Sequence, residues 1–292
     1  LKGTIVAAHG RQYLVELSAH DAVGGKTLLC FPRGKKSELA CGDQVNVQRT
    51  GDAQGVIDSL VPRSTLLFRS NEYKQKLIAA NVTQIVIVVA TEPSFSDELI
   101  TRCIVAAENQ GIKALIVLNK CDLSERIGPA MTALAPYEKL TYRVLQLCAH
   151  AGAAALVPYL VGHTSVLIGQ SGMGKSTLTN ALLPAAKVPT REISAALDSG
   201  KHTTTHATLY RLDENSALID SPGLQAFGLR HLTRAAIEDA FIEFRSLLGQ
   251  CRFRNCRHAH EPGCAIQDAI ARGDIAARRY TVFRSLCAEL DG

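Results

Sequence analysis

The stretch TSVLIGQSGMGKSTLTN, Thr164 to Asn180, constrains the fold more than any other part of the chain. A short apolar strand that runs straight into a glycine-rich turn and then a helix buries both its faces inside a parallel sheet with helices packed on it. Within it, Gly169-x4-Gly174-Lys175-Ser176 matches the phosphate-binding loop at every defined position. Its glycines allow the backbone N–H groups of Gly169, Gln170, Ser171, Gly172, Met173 and Gly174 to turn inward around phosphates, at the positive end of the helix that follows. Lys175 is expected to bridge the β- and γ-phosphates, and the Ser176 hydroxyl, next to Thr177, to ligate Mg²⁺.

The 292 residues are 47% hydrophobic and 20% charged, a composition suited to two or three globular domains and to neither a fibrous nor a disordered chain. Apolar runs such as Ile85 to Ala90 fall far short of the roughly 20 residues that span a bilayer, so the expectation is a cytoplasmic protein with no membrane partner. The chain begins at Leu1 rather than Met, and a segment is expected to precede it. A net charge of +5 points only weakly to nucleic acid. Its distribution says more: Arg33, Lys35 and Lys36 share a turn, Arg63, Arg69, Lys74 and Lys76 face only Glu72, and Arg252, Arg254 and Arg257 cluster near the C-terminus.

Before the phosphate loop the pattern changes twice. Residues 1–62 alternate short strand-like runs with Gly and Asp, as a small antiparallel OB-like barrel does. From Gln84 onward, apolar runs (QIVIVVA, IKALIVLN, YRVLQLC) alternate with helical segments, SDELITRCIVAAENQ with Gly111 as its stop among them, and AAALVPYL before the phosphate-loop strand. After it come the polar stretch 187–206, two strands (ATLYRL and SALID), a helix over TRAAIEDAFIEFRSLL, a Cys/His cluster and two Ala/Arg-rich helices. The expected organisation is an OB-fold-like barrel over 1–62, an α/β P-loop domain over 63–228 and a helical domain carrying the Cys/His cluster over 229–292.

Three further elements specify the nucleotide. The run NKCD, Asn119-Lys120-Cys121-Asp122, closes an apolar strand. A carboxylate there accepts two hydrogen bonds from guanine, and adenine offers no such donor pair on that edge, so a site built around Asp122 rejects ATP. Asn119 is expected to brace the loops and Lys120 to cover one face of the base. Asp220-Ser-Pro-Gly223, at another strand end, fits the element that holds the metal through water and senses the γ-phosphate. Between them Thr203, Thr204 and Thr205 offer a switch hydroxyl to Mg²⁺, assigned to Thr204.

The order is unusual, since NKCD precedes the phosphate loop. Joining the ends of a conventional GTPase domain and cutting after the DxxG element produces this order with every strand pairing retained, and circular permutation of that kind is tolerated when the cut falls in a connection. Cys148-Ala-His-Ala-Gly152 then lies where the base-supporting loop belongs. With its N-terminal barrel, permuted NKCD and GQSGMGKST, GKHTTTH switch, DSPG and terminal Cys/His cluster, the chain resembles the bacterial ribosome small subunit-dependent GTPase A family over essentially its whole length. The resemblance implies an OB-fold, a permuted GTPase domain and a zinc domain, and a monomer acting on the small ribosomal subunit and its rRNA in late maturation.

Nine cysteines without a secretory signal argue against a disulfide framework. Cys251-x4-Cys256-x-His258-x5-Cys264 instead supplies three thiolates and an imidazole for one closed, structural Zn²⁺, with His260 as a competing ligand. The interleaved Arg252, Arg254 and Arg257 would then form a metal-fixed basic surface suited to RNA phosphates. Leu224 follows DSPG where many GTPases place a water-orienting Gln, so slow intrinsic turnover is expected, with His231, His202 or His206 as candidate replacements and His231 first. GTP is expected to fix barrel and zinc domains in a ribosome-binding arrangement that hydrolysis to GDP releases. A nucleotide-gated rRNA-binding scaffold with incidental hydrolysis, and an ATPase, are the alternatives.

Overall fold

The structure is a computed structural model that describes residues 1–21, 27–34, 38–71, 74–184, 207–221 and 229–291. Thr203, Thr204, Thr205, Gly223, Leu224, His202, His206, Lys35, Lys36 and Glu72 lie outside the described residues.

Strands β1 (Lys2–His9), β2 (Gln12–Leu17), β3 (Thr27–Pro32), β4 (Gln44–Arg49) and β5 (Gln54–Leu60) form a barrel. β1 pairs with β2 and β4, β2 with β3, β3 with β5 and β5 with β4, so the ring closes and leaves no free edge. Alternate residues point inward: Ile5, Val15, Leu28, Cys30 and Val45 are fully buried, the period of two expected of strands with one wet face.

The second layer system is the expected doubly wound sheet. β8 (Gln84–Ala90), β9 (Lys113–Asn119), β10 (Arg143–Gln146), β11 (Thr164–Ile168) and β13 (Ala217–Asp220) are parallel, with β12 (Thr208–Arg211) antiparallel at the edge, in the order β10-β9-β8-β11-β13-β12. Counted from the phosphate-loop strand as first, that order reads 2-3-1-4-5-6. The sheet therefore switches direction between β11 and β8, where open α/β sheets bind ligands beyond the strand C-termini. Every residue of β8 is buried, as a two-sided strand requires.

Helix α1 (Asp97–Gln110) begins at an N-cap Ser96 whose hydroxyl accepts from Leu99 N at 3.3 Å, carries Asp97 and Glu98 in its first turn, and ends at Gly111 with φ 65°. Helices α2 (Ser124–Lys139), α3 (Val157–Leu160) and α4 (Lys175–Leu182) complete this unit. α3 is one turn rather than the helix expected from Ala153, because Pro158 sits in that first turn and in a longer helix would remove the bond to Ala154.

Beyond it lie α5 (Arg234–Ala240), α6 (Ala265–Arg272) and α7 (Ala277–Asp291). The helix expected over the whole of Thr233 to Leu248 stops at Ala240, and turns follow. Phe241 and Phe244 leave the helical path to stack at 5.1 Å and to meet Phe283 of α7 edge-on at 5.4 and 5.0 Å, all three fully buried. Tertiary packing of three aromatic rings outweighs the local helical pattern.

An antiparallel hairpin, β6 (Leu66–Asn71) and β7 (Lys74–Ala80), connects barrel and sheet where no strands were expected. The barrel rests on it and on the sheet edge: Ala80 N donates to Cys41 O at 2.8 Å, Asn81 Nδ2 to Gly42 O at 3.0 Å, and Ala7 pairs with Thr208. Arg63 grips the fully buried Asp43 with Nε at 2.7 Å.

On the other side, Arg279 of α7 is 2% exposed, 3.1 Å from Glu243 through one of its two contacts, and its guanidinium lies over the rings of Phe241 at 4.9 Å and Tyr137 of α2 at 5.4 Å. Arg278 meets Asp97 at 3.2 Å, Arg245 meets Glu108 at 2.9 Å, and Arg102 bridges Glu98 and Glu289. The C-terminal helices are thus anchored along α1.

Candidate functional site

The C-terminal ends of β8, β9, β11 and β13 deliver Ala90, Asn119, Ile168 and Asp220 to one rim of the sheet. A Cβ on Gly169 would stand 2.2 Å from Val88 O, so only glycine lets the loop leave β11 against β8. Gly174, at φ 89°, would put a Cβ 2.3 Å from Asn119 Nδ2. That crowding reflects a contact the sequence led one to expect.

Asn119, 2% exposed, joins three loops: its Nδ2 donates to Met173 O in the phosphate loop at 2.9 Å, and its Oδ1 accepts from Ala149 N at 2.9 Å. The loose match at Cys148 to Gly152 is therefore part of the site. Lys120, at φ 61°, directs Nζ to Glu92 O at 2.9 Å, and its own carbonyl accepts from Thr91 Oγ1 at 2.9 Å. Asp122 is exposed at the rim and accepts from Cys148 Sγ at 3.2 Å; that bond, first among the causes, holds its carboxyl below the ordinary range. Beside it, Cys121 N donates to Leu147 O at 3.2 Å, tying β9 to the strand that leads to Cys148.

In the phosphate loop Lys175 is 8% exposed and its Nζ donates to the carbonyls of Gly169 at 2.7 Å and Gln170 at 2.9 Å, across its own loop. Burial lowers its pKa, partly offset by the charge of Asp220. Gln170 turns outward, its Oε1 accepting from Ser96 N at 3.1 Å, which links the loop to the start of α1. No spacing in the chain signals that link. Met173 is buried in the layer formed by Val86, Val88 and Leu178, whereas Ser171 is exposed and Gly172, Ser176 and Thr177 are half-buried around the helix start.

Asp220 is 3% exposed, and among the described residues its Oδ2 is the one buried side-chain oxygen lacking a hydrogen-bond partner. Burial raises its pKa to about 6, against the pull of Lys175. An orphaned carboxylate oxygen beside a lysine and a helix-opening serine fits a hydrated Mg²⁺. Ser221, also buried, donates its hydroxyl to Leu167 O at 2.9 Å and fixes the strand end.

The second cluster is as sequence spacing anticipated. One ligand atom each from Cys251, Cys256, His258 and Cys264 lie within 4.8 Å of one another. His258 Nδ1 stands 3.5 Å from Cys251 Sγ and 3.4 Å from Cys264 Sγ, and the two sulfurs are 3.9 Å apart. A Zn²⁺ with Zn–S of about 2.3 Å and Zn–N of about 2.0 Å has tetrahedral edges of roughly 3.5–3.8 Å, close to these three separations, so the donor set fits the ion. His260 is exposed and outside this group, which settles the competition in favour of His258. Glu238 Oε1 stands 3.8 Å from His258 Nε2, placed as the outer carboxylate that commonly orients a metal-bound imidazole; it lies on α5, at no motif spacing that would reveal it. His231, by contrast, packs at 4.8 Å on the Phe68 ring of the hairpin.

The sequence profile of the family described as RsgA GTPase matches residues 60–230. "Small ribosomal subunit biogenesis GTPase RsgA" of Burkholderia pseudomallei is 52% identical over 292 residues, covering 99% of this chain and 92% of that protein. The chain belongs to the RsgA GTPase family. The protein of the same name from Nitrosospira multiformis is 51% identical over 291 residues, covering 100% of this chain and 91% of that one. Among solved structures, YjeQ from Thermotoga maritima aligns with a TM-score of 0.76 at 29% identity over 100% of this chain and 98% of that chain. YloQ, titled a circularly permuted GTPase, gives 0.71 at 25% identity over 99% and 94%. Family membership makes this chain a P-loop GTP hydrolase rather than an ATPase. The permuted motif order and the Cys₃His cluster belong to the same architecture.

Proposed function

We propose that this GTPase acts in biogenesis of the small ribosomal subunit, binding the subunit and its rRNA as a cytoplasmic monomer, hydrolysing GTP there and leaving as the GDP form. The observation that carries the reading is Asn119, which locks the phosphate loop, the NKCD strand and the Ala149 loop into one guanine-reading unit. The names of its relatives supply the partner. No helix is long and apolar enough to cross a membrane among the described residues, in keeping with a ribosomal partner.

In this reading residues 1–62 are the RNA-binding barrel, 63–228 the permuted GTPase domain and 229–292 the zinc domain. Backbone N–H groups from Gly169 to Gly174 cradle the phosphates, Lys175 swings from its loop carbonyls to the β- and γ-oxygens, and Thr177 lies beside them. Asp122 accepts from guanine, flanked by Lys120 and Cys121. Ser176, Thr204 and Asp220 would hold Mg²⁺, and Gly223 would sense the γ-phosphate. The ion when bound supplies charge neutralisation between the phosphates. His231 orients the attacking water; His231→Ala leaving subunit-stimulated turnover unchanged would remove it from that role.

GTP turnover measured with and without purified small subunits tests the whole. Stimulation is expected; an rRNA-binding scaffold with incidental hydrolysis would show none. Equal affinity of the GTP and GDP forms for the subunit would rule out nucleotide-controlled release.

A further inference from the structure

The loop between the first two zinc ligands reads Cys251-Arg-Phe-Arg-Asn-Cys256, and its outer surface is chemically unusual. Phe253 is 41% exposed, with Arg252, Arg254 and Asn255 exposed on either side and Arg257 just beyond the second thiolate. An aromatic ring among three cations, with no acid inside the loop, is poorly suited to the protein's own core. Three buried rings, Phe241, Phe244 and Phe283, lie in the same domain and exclude it.

The loop is also held. Arg252 N donates to Gly263 O at 2.9 Å, and a Cβ on Gly263 would approach Arg252 Cβ to 3.1 Å, so the two chain segments are in close contact. Cys256 N donates to Phe253 O at 3.2 Å, closing a turn across the loop, and Cys251 and Cys256 at its two ends both belong to the Cys₃His cluster. The Arg252 guanidinium lies 5.5 Å from the centre of the Phe253 ring, pinning it from one side. Ordering this ring costs little further entropy on binding, because its loop is ordered already.

We infer that Phe253 is a stacking platform for an unpaired RNA base, with Arg252, Arg254 and Arg257 gripping the phosphates on either side of that base. Charge complementarity selects a polyanion, and the exposed ring selects one whose bases are free to stack. A duplex keeps its bases stacked on one another and presents only backbone to such a loop, so a phosphate-only contact would leave Phe253 without a role. The inference rests on the proposed rRNA partner and specifies which kind of rRNA element the zinc domain takes.

The test uses the full zinc-loaded chain with a non-hydrolysable GTP analogue, and reads anisotropy of a labelled single-stranded RNA oligonucleotide and of a matched RNA hairpin duplex. Phe253→Ala is expected to weaken single-strand binding five-fold or more, about 1 kcal/mol, with duplex binding unchanged and zinc content still one ion. Phe253→Tyr should restore it. Arg254→Gln should weaken both RNAs and flatten the salt dependence. Equal single-strand affinity of Phe253→Ala and the parent, or no measurable single-strand binding by the parent, overturns the platform. Co-sedimentation with small subunits, run in parallel, keeps the two readings apart: loss of it for the parent chain sinks the ribosomal partner, whereas its retention by Phe253→Ala with unchanged oligonucleotide affinity sinks only the stacking role.

Discussion

Asn119 and Met173, far apart in the chain, share a buried hydrogen bond of 2.9 Å from the Asn119 side chain to the Met173 carbonyl. The base-reading strand thereby sets the shape of the phosphate loop. Asn119→Ala removes this bond and the one from Ala149 N, leaving a buried carbonyl and a buried N–H unpaired at about 1–3 kcal/mol each. GDP affinity, measured by calorimetry, is expected to fall at least ten-fold, with a lower melting temperature even without nucleotide. Asn119→Asp should retain the Ala149 bond and lose the Met173 bond, giving an intermediate melting temperature.

Cys148 donates to Asp122, the carboxylate proposed to read guanine, at 3.2 Å. Loss of that donor frees Asp122 to rotate and removes the main cause of its lowered pKa. Cys148→Ala is therefore expected to weaken GDP binding several-fold. Cys148→Ser, a better donor, should bind GDP at least as tightly as the parent. Competition titrations with GDP and ADP give the measurement: if ADP binding changed in parallel, the contact would have no part in base selection.

Asp220 carries a pH signature. Its folded-state pKa is raised by burial to about 6 from an unfolded value of 3.8, so between those values the folded form holds a proton that the unfolded form has lost. The stability this contributes is complete below the unfolded value and is lost as pH rises through about 6. Without nucleotide or Mg²⁺, Asp220→Asn is expected to be more stable than the parent at pH 7 by about 1–3 kcal/mol, with the difference shrinking towards pH 4. Urea melts at several pH values read this directly. The same variant should lose the Mg²⁺ dependence of GTP affinity, since an amide is a poor partner for a hydrated cation.

What the sequence made legible, and what it did not, divides by the range of the physics involved. Gly169 to Ser176, Asn119 to Asp122 and the Cys251, Cys256, His258 and Cys264 set are each a local spacing of the kind a ligand's geometry imposes, and the structure brings the first two runs into contact through Asn119 and the four Cys/His donor atoms within 4.8 Å of one another. β8 and β9 announced themselves because strands buried on both faces leave near-continuous apolar runs. The β6–β7 hairpin did not: its Arg69, Lys74 and Lys76 read only as part of a basic cluster. Phe241 looked helical because its neighbours fit a helical period, and only the distant Phe283 explains why the chain departs there. Glu238 behind His258, and Gln170 reaching Ser96, are contacts between elements with no sequence spacing to betray them.

Removal of zinc should unfold the C-terminal unit selectively. The binding energy of a structural Zn²⁺ is of the order of 10 kcal/mol at neutral pH and becomes folding energy for its ligands. Cys264→Ser, which replaces a buried thiolate, is expected to abolish stoichiometric zinc by metal analysis and to expose Phe241, Phe244 and Phe283 to a hydrophobic dye. Guanine nucleotide should still bind, since none of its proposed ligands lies beyond Gly223. His260→Ala should leave zinc content at one ion. Glu238→Gln should retain the ion with weaker affinity, because it removes the outer carboxylate and none of the ligands.

Among the described residues, Arg279 of α7 and Glu243, in the turns that follow α5, form the most deeply buried ion pair, their side chains 2% and 6% exposed. Arg279 also reaches Thr101 of α1 at 3.4 Å, so the pair lies where the C-terminal helices pack on α1. Truncating one partner strands the other's charge, which typically costs about 3–5 kcal/mol. Arg279→Met is therefore expected to lower stability by that amount in urea melts. Arg279→Met combined with Glu243→Leu, which leaves no charge behind and keeps apolar volume against Phe241 and Tyr137, should recover most of it. A double variant as unstable as the single one would mean that the guanidinium's place over the two rings, rather than its charge partner, sets the cost. The pair would then act as an aromatic wedge between domains, and Arg279→Lys, which cannot stack as a plane, should be as damaging as Arg279→Met.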